Sequence, residues 1–171
     1  MFDLDMQFND VNICSIENED VVFVQSWFNS EQGFCNKSIA IDLHEFHKRF
    51  LEYYASECEF FLKINKNNKF IGIIKGRIEF KNPNEVWFSF YMLNSEERGK
   101  GLGSDIINYI IKSFNEGYGI DSFYVAVELE DAASLKFWKK NRFEIQRVCK
   151  NLYGLHDKTK EQLLMKRDEK H

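Results

Sequence analysis

Prolines and long apolar runs are scarce in this sequence of 171 residues, which contains one proline and apolar segments of only a few residues each. A membrane-spanning helix needs about 20 consecutive apolar residues, so none is expected. No apolar segment near the N-terminus combines a charged flank with a cleavage site, and no signal peptide is expected either. The expected location is therefore the cytoplasm.

Cysteine and positive charge are also limited. The four cysteines stand at positions 14, 35, 58 and 149 and form no CxxC pair, which argues against a disulfide framework or a zinc ribbon. We expect no metal site. Lys and Arg number 23 against 27 Asp and Glu, whereas a nucleic-acid-binding protein needs a concentrated basic face. Neither nucleic acid nor a membrane is expected as a partner, and we expect a monomer or a homodimer.

Apolar and aromatic residues are plentiful, at 44% and 16% of the chain. This composition is typical of a globular protein, and the length predicts one domain over residues 1–171. Alternating apolar residues predict seven strands, at 11–16, 59–65, 69–80, 86–93, 122–129, 143–154 and 161–166. Helical spacing predicts helices at 18–30, 41–57 and 131–141, and one from about residue 104 to Gly117 or Gly119. The order predicts an α/β (α+β) fold with one mixed central sheet of about seven strands and helices on both faces.

The most unusual segment is RGKGLGS at residues 98–104, where glycines occupy every second position at Gly99, Gly101 and Gly103. An apolar predicted strand precedes the segment, and an amphipathic predicted helix follows it. The spacing G-x-G-x-G lacks the third glycine of a dinucleotide-binding fingerprint, and the segment does not fit a Walker loop. Neither of these nucleotide-binding motifs explains it.

The segment is suited to binding an anion. Glycine lets backbone N–H groups approach a ligand without a Cβ atom in the way, and the N-terminus of the following helix favours a phosphate group. Arg98 and Lys100 add positive charge, and an arginine can form two parallel hydrogen bonds with a diphosphate. The alternative is a turn that merely connects strand and helix. Each glycine costs about 0.5–1 kcal/mol of chain entropy on folding, and three of them cost more than a simple turn requires.

The run RGKGLG fits the pattern [RQ]-x-x-G-x-[GA] and resembles the acyl-CoA pyrophosphate loop of the GNAT superfamily of N-acyltransferases. The setting is similar too, since in that family the loop follows the fourth strand and opens the third helix. The resemblance implies a GNAT fold and transfer of an acetyl group to a primary amine. It also implies acetyl-CoA as the co-substrate and a small-molecule or peptide amine as the acceptor.

The resemblance further implies a binding site, residue by residue. Main-chain groups of Tyr91, Met92 and Leu93 would pair with the pantetheine arm, and the thioester would lie where the fourth and fifth strands part. The pyrophosphate would be held beside Arg98 by backbone amides of the loop, which belong to Gly99, Lys100, Gly101, Leu102, Gly103 and Ser104.

After its fifth strand the family has an Asn-x-x-Ala-x-x-x-Tyr pattern that ends in Gly-Phe. This sequence has Asp131, Ser134 and Trp138 at the corresponding positions, followed by Arg142-Phe143. We expect Asp131, Ser134 and Trp138 to lie against the cofactor. Tryptophan replaces the tyrosine that often protonates the leaving thiolate in the family. A non-catalytic acyl-CoA-binding or regulatory domain on the same fold is therefore the alternative function.

The catalytic candidates come from the predicted strand at 86–93 and its flanks. Its alternation predicts an apolar face formed by Val86, Phe88, Phe90 and Met92. The opposite face is mixed and suited to a polar cleft, and it is formed by Glu85, Trp87, Ser89, Tyr91 and Leu93. Glu85 is the candidate general base, acting through water, and Glu79 and Glu128 are its rivals. Tyr91 is the candidate proton donor to the leaving thiolate, with water or another hydroxyl as its alternatives.

Overall fold

The computed structural model describes residues 2–34, 41–150 and 161–169. The chain forms strands and helices in the order β1 (Asp5–Phe8), β2 (Val11–Ser15), α1 (Val21–Phe34), α2 (Leu43–Ala55), β3 (Glu59–Lys66), β4 (Lys69–Glu79), β5 (Glu85–Leu93), α3 (Leu102–Tyr118), β6 (Ser122–Glu128), α4 (Ala132–Lys140), β7 (Glu144–Lys150) and β8 (Glu161–Asp168). Short 3-10 turns at Asn18–Asp20 and Ser95–Glu97 precede α1 and the glycine segment. Among the helices of these residues, none combines the length and the apolar character needed to span a membrane.

The strands form one mixed sheet in the order β1-β2-β3-β4-β5-β6-β8-β7. β2 pairs antiparallel with β1 and β3, and β8 pairs antiparallel with β6 and β7. β5 and β6 are parallel, and α3 provides the crossover that a parallel pair requires. The predicted α/β (α+β) class, with one mixed sheet flanked by helices, is confirmed. Within the described ranges the sheet has eight strands, where about seven were expected.

β1 is the additional strand. It has four residues and none of them is fully buried, so no strong apolar alternation marks it in the sequence. Asn9 and Asp10 connect it to β2, and Asn9 has a φ of +51°. A two-residue connection with positive φ is typical of a β-hairpin, and this dipeptide is the signal that predicts the strand. At the other end of the chain, residues 151–154 of the strand predicted at 143–154 lie outside the described residues.

The chain divides into two compact units. Unit 1 comprises Met1–Lys75 and Met92–Arg98, and unit 2 comprises Gly76–Tyr91 and Gly99–His171. In unit 1, α2 begins at Leu43 because the Asp42 side chain accepts hydrogen bonds from the first N–H groups of the helix. Phe46 lies on its buried stripe and packs on Phe61 of β3, with ring centroids 6.3 Å apart.

In unit 2, α3 has the buried stripe that its sequence predicts, formed by Ile106, Ile107, Ile110, Ile111 and Phe114. The helix ends at Gly119 rather than Gly117. Gly119 has a φ of +62°, and its N–H bonds to the carbonyl of Asn115. A left-handed glycine after the last helical residue is the usual way to end a helix.

The end of α4 explains the Gly-Phe pair of the GNAT pattern. The N–H of Phe143 donates to the carbonyl of Trp138, and that of Arg142 donates to Lys139, each at 3.0 Å. These are the two hydrogen bonds of a Schellman motif. Arg142 has a φ of +66°, a conformation that favours glycine, and the Phe143 ring packs on Trp138 at 4.8 Å. The Schellman turn at the end of α4 therefore forms although this sequence has an arginine where the family pattern has a glycine.

Candidate active site

The glycine segment forms a tight connection between β5 and α3. Gly99 and Gly101 have φ angles of +75° and +91°, which L side chains rarely adopt. α3 begins at Leu102, and the carbonyl of Gly101 accepts hydrogen bonds from the N–H groups of Ser104 (2.9 Å) and Asp105 (3.2 Å). The backbone thus turns directly from the glycines into the helix.

The backbone N–H groups of this turn remain available to a ligand. Within the described part of the chain, no hydrogen bond engages the N–H groups of Gly99, Lys100, Gly101, Leu102 and Gly103. A Cβ atom placed on Gly99 or Gly101 would meet no described atom within 4 Å. The space beside these two glycines is therefore open, and the N-terminus of α3 adds a field that favours an anion.

Arg98 is engaged within unit 1. Its Nη2 atom donates to the carboxylate of Glu31 at 3.0 Å, and its Nε atom donates to the carbonyl of Leu93 at 2.7 Å. The expected pairing of this guanidinium with a diphosphate therefore competes with protein acceptors that already hold it. Lys100 is exposed and has no ion-pair partner among the described residues. Of the charges of Arg98 and Lys100, that of Lys100 is therefore the more available to a diphosphate.

The main chain just before the segment is partly engaged as well. The carbonyl of Leu93 accepts the Arg98 hydrogen bond. The carbonyl of Met92 lies so close to Gly72 of β4 that a Cβ there would be 2.3 Å from it. These two residues and Gly72 belong to unit 1. The pairing of Tyr91, Met92 and Leu93 with a pantetheine arm stays a prediction.

Within unit 2, β5 and β6 part halfway along their length. Their parallel ladder pairs Glu85 with Ser122 at its start and Phe88 with Val125 at its end. β5 continues to Leu93 and β6 to Glu128, so residues 89–91 and 126–128 follow the end of the ladder. The parting of these two strands, which the resemblance implies, is present.

The predicted faces of β5 are wrong beyond Phe88. Phe88 stacks on Trp138 with ring centroids 5.9 Å apart, and Tyr91 contacts the same ring at 6.5 Å. Residues three apart in a regular strand point to opposite faces, so the strand is irregular between them. Tyr91 therefore lies on the face of Phe88 and not on that of Trp87.

Tyr91 connects β5 to the start of α3. Its hydroxyl donates to the carbonyl of Gly103 at 3.0 Å. Burial, followed by the negative charge of Asp105, raises the pKa of Tyr91 well above its ordinary value. The hydroxyl therefore stays protonated at neutral pH and is better suited to hydrogen bonding than to acid catalysis. Nearby along the strand, the buried Ser89 Oγ has no hydrogen-bond partner in the described part of the chain.

Three donors hold Glu85 at the start of β5. Its carboxylate accepts from Trp87 Nε1 (3.2 Å), Lys81 Nζ (3.3 Å) and the Tyr124 hydroxyl (3.4 Å). The rings of Trp87 and Tyr124 stack at 4.4 Å, which fixes two of these donors. Ser89 stands four residues further on, about 13 Å away at about 3.3 Å per residue. Glu85 is therefore well oriented, but it needs a water to act where the strands part.

The two rival carboxylates are placed differently. Glu79 forms ion pairs with Arg77 (2.6 Å) and Lys81. The hydrogen bond from Lys81 and the charge of Arg77 outweigh desolvation and lower the pKa of Glu79, which makes it a weaker base. Glu128 stands at the end of β6, opposite Gln162 of β8.

The residues of the degraded family pattern cap and pack α4. The carboxylate of Asp131 accepts from the N–H (3.0 Å) and the hydroxyl (2.8 Å) of Ser134 at the start of the helix. Trp138 is 6% exposed and lies against Phe88 and Phe143. These contacts account for all three side chains structurally. Their contact with a cofactor stays a prediction.

A hydrogen-bonded network behind the glycine segment has no motif in the sequence. Asn141 is 3% exposed, and its Nδ2 atom donates to Ser104 Oγ at 3.2 Å. Asn108 donates to Asn141 Oδ1 at 3.1 Å, and buried Arg167 donates to Asn108 Oδ1 at 2.5 Å and to the Asn141 carbonyl at 3.1 Å. The network anchors the first turn of α3. Polar residues at buried positions are the signal of such a network, but a single sequence does not show which positions are buried.

These features fit the diphosphate and the arm of coenzyme A. The turn offers successive open amides and a helix N-terminus, which suit a diphosphate. The main chain of residues 89–91, which lies beyond the ladder between β5 and β6, offers hydrogen-bonding groups of the kind that an extended amide-containing chain can join. Both parts of this candidate site lie in unit 2.

Solved structures of the same fold are acetyltransferases. One from Salmonella typhimurium, which modifies the N-terminal serine of the 50S ribosomal protein L7/L12, is 14% identical with a TM-score of 0.82, covering 95% of this chain and 97% of its own. Spermidine N-acetyltransferase from Vibrio cholerae, in complex with CoA and spermine, is 13% identical with a TM-score of 0.74, covering 93% and 95%. Naa50 from Arabidopsis thaliana, in complex with the bisubstrate analogue CoA-Ac-MVNAL, is 18% identical with a TM-score of 0.68, covering 94% and 99%. No curated protein matches the chain in sequence.

The sequence matches a family described as "Acetyltransferase (GNAT) domain" over residues 13–161. The matched region contains the glycine segment, the parted strands β5 and β6, and α4 with its Schellman turn. It also leaves few residues unmatched at either end. The protein belongs to the GNAT family of acetyltransferases.

Proposed function

We propose that residues 1–171 act as a single-domain N-acetyltransferase of the cytoplasm. The protein transfers acetyl from acetyl-CoA to a primary amine of a small molecule or a peptide, by direct attack in a ternary complex. One observation carries the proposal: five successive N–H groups, from Gly99 to Gly103, stay unengaged in the described chain at the N-terminus of α3. An unsatisfied turn of this kind is a site for a diphosphate.

The residues that bind the co-substrate belong to unit 2. The amides of the glycine turn and the charge of Lys100 hold the diphosphate, and the hydrogen bond from Tyr91 to Gly103 keeps the turn joined to β5. When bound, acetyl-CoA supplies the acetyl thioester. Residues 89–91, which lie beyond the part of β5 that pairs with β6, offer their main chain to the pantetheine arm.

The acceptor amine must lose a proton before it can attack, because its pKa is near 10. We assign this task to Glu85 acting through water, since three donors orient its carboxylate at the start of β5. No residue needs to protonate the leaving group. A thiol with a pKa of about 8.5 departs as a thiolate at pH 7 at a cost of about 2 kcal/mol. Tyr91, whose pKa is raised by burial, serves as a hydrogen-bond donor.

A second candidate function is acyl-CoA binding without catalysis. The structural roles of Asp131, Ser134 and Trp138 favour it, because the indole of Trp138 is packed in the core and provides no acid. On this alternative, the protein binds coenzyme A and releases no thiol.

A thiol-release assay separates the two candidates. Acetyl-CoA is incubated with polyamines, aminoglycosides, amino acids and peptides that carry a free N-terminus. The proposal predicts thiol release that depends on an amine and is lost in Gly101→Val, since a branched side chain at a φ of +91° would distort the turn. Gly117→Ala, a glycine change outside the turn, serves as the control and should leave the rate unchanged. Thermal stabilisation by CoA without thiol release would favour the binding domain, and no stabilisation by CoA would contradict both.

A further inference from the structure

In unit 1, helix α1 contacts the segment of chain that leads into the glycine turn. Trp27 Nε1 donates to Asn94 Oδ1 at 2.5 Å. One helical turn later, Glu31 accepts hydrogen bonds from the N–H of Ser95 at 3.2 Å and from Nη2 of Arg98 at 3.0 Å. Residues 27 and 31 stand on the same face of α1, because positions four apart share a face. Together they hold the chain at residues 94, 95 and 98.

Burying the carboxylate of Glu31 without hydrogen-bond or ionic partners would cost free energy of folding. Glu31 is 9% exposed, and a buried carboxylate needs compensating hydrogen bonds or an opposite charge. Its partners in the described chain, Ser95 and Arg98, both come from the segment before the turn. The energy of burying Glu31 therefore depends on where this segment lies.

Other contacts fix the same segment. The N–H of Asn94 donates to the carbonyl of Ile71 at 2.7 Å, and Glu97 forms an ion pair with Lys66 at 3.3 Å. Arg98 is bound at both ends of its guanidinium, since Nε reaches the carbonyl of Leu93. The residue that immediately precedes Gly99 is consequently set by protein contacts.

We propose that Glu31 is a positioning residue for coenzyme A binding. It holds Ser95 and Arg98, and through the chain it sets the starting point of the glycine turn whose amides bind the diphosphate. Arg98 fixes the segment through its hydrogen bond to Glu31 and is not a phosphate ligand. This inference rests on the proposed function.

The two possible roles of Arg98 predict opposite effects of removing Glu31. If Arg98 were a phosphate ligand that Glu31 merely neutralises, loss of the carboxylate would free a cation and tighten CoA binding. If Glu31 positions the turn, loss of the carboxylate releases residues 95–98 and weakens CoA binding. The sign of the change in affinity therefore decides between the roles.

Isothermal titration of CoA into the full-length protein measures this sign. We expect the Kd to rise about tenfold in Glu31→Ala and less in Glu31→Gln, because the amide oxygen of glutamine still accepts from Ser95 and Arg98. The KM for acetyl-CoA should rise in parallel while kcat changes little. Glu45→Gln is the matched control, since Glu45 pairs with Arg49 on α2 (2.9 Å) and its side chain forms no hydrogen bond or ion pair with residues 94–98 in the described chain. Its Kd should equal that of the wild type.

Circular dichroism identifies a temperature at which each variant is folded. Unchanged or tighter CoA binding by folded Glu31→Ala would overturn the positioning role. If that variant does not fold, Glu31→Gln and Trp27→Phe decide: each should weaken CoA binding about threefold, and wild-type affinity in both would overturn the inference. Failure of the wild type itself to bind CoA would instead contradict the proposed function.

Discussion

Replacement of Lys75 with methionine should stabilise the protein at neutral pH, because the lysine ammonium is held away from water. Its Nζ atom lies 4.2 Å from the ring centroid of Tyr53 and 4.8 Å from that of Phe61. Desolvation, followed by the charge of Arg49, lowers the pKa of Lys75 from 10.5 to about 8, against a smaller opposing effect of Glu59. The charged form is thus disfavoured in the folded state.

The magnitude follows from this pKa. The difference between 10.5 and about 8 corresponds to about 3 kcal/mol, at 1.36 kcal/mol per pKa unit. The two cation–π contacts stabilise the charged lysine by about 0.5–1 kcal/mol each and offset part of this cost. The side chain of methionine is also unbranched and adapts to the same space without a charge. We therefore expect Lys75→Met to raise the free energy of unfolding by about 2 kcal/mol at pH 7.

The sign of the pH dependence is set by linkage. Below about pH 8 the lysine is protonated in both the folded and the unfolded state, so the full cost is present. Between about pH 8 and 10.5 the folded state binds fewer protons than the unfolded state, so the stability of the wild type rises with pH. The advantage of the variant should therefore shrink across this window.

Urea unfolding at pH 7 and pH 10 measures both effects. Lys63→Met is the matched control on β3, because Lys63 donates to Asp20 at 2.6 Å. Desolvation lowers the pKa of Lys63, but this hydrogen bond and the charge of Asp20 outweigh it and raise the pKa. The control should lose stability at pH 7. The reasoning would be refuted if Lys75→Met were no more stable than the wild type at pH 7, or if its advantage were as large at pH 10.

Arg142→Gly should raise the melting temperature by the equivalent of about 0.5–1 kcal/mol, because glycine accepts the φ of +66° more readily than arginine; a lower melting temperature would count against strain at this turn. Gly72→Ala should lower the free energy of unfolding in urea by about 1–3 kcal/mol, since its Cβ would lie 2.3 Å from the Met92 carbonyl oxygen. Gly117→Ala, within α3 and with open space around the new Cβ, should instead gain about 0.5–1 kcal/mol, and equal effects of the two changes would refute the contact at Gly72. Trp138→Tyr should lower the melting temperature through the smaller ring in a buried site and leave thiol release per folded molecule equal or higher; a collapse of thiol release would show that the indole is needed.

Elements with a buried periodic face could be predicted from the sequence. The isoleucines of α3 are spaced for one helix face, and all of them are buried. Gly119 has the positive φ that ends this helix, and alternating apolar residues mark the central strands. In each of these elements, the residue types themselves report burial and backbone conformation. The order of such elements around the glycine segment was sufficient to indicate the family.

Features that depend on distant or unusual contacts could not be predicted. Glu31 lies 67 residues from Arg98 in the chain, and no periodicity links them. The irregularity of β5 between Phe88 and Tyr91 leaves no mark in residue type, so the alternation places Tyr91 on the wrong face. Arg142 adopts a left-handed conformation that its residue type disfavours, and the surrounding Schellman turn imposes it.

Nuclear magnetic resonance provides the most direct test of how the protein binds its co-substrate. In ¹⁵N–¹H spectra recorded during a titration with CoA, the amide signals of Gly99, Gly101 and Gly103 should shift most, because their N–H groups are unengaged in the described chain. Signals of amides inside the β7–β8 ladder, such as Val148, should stay in place. Saturable CoA binding with no shift in the glycine segment would contradict the mechanism derived above.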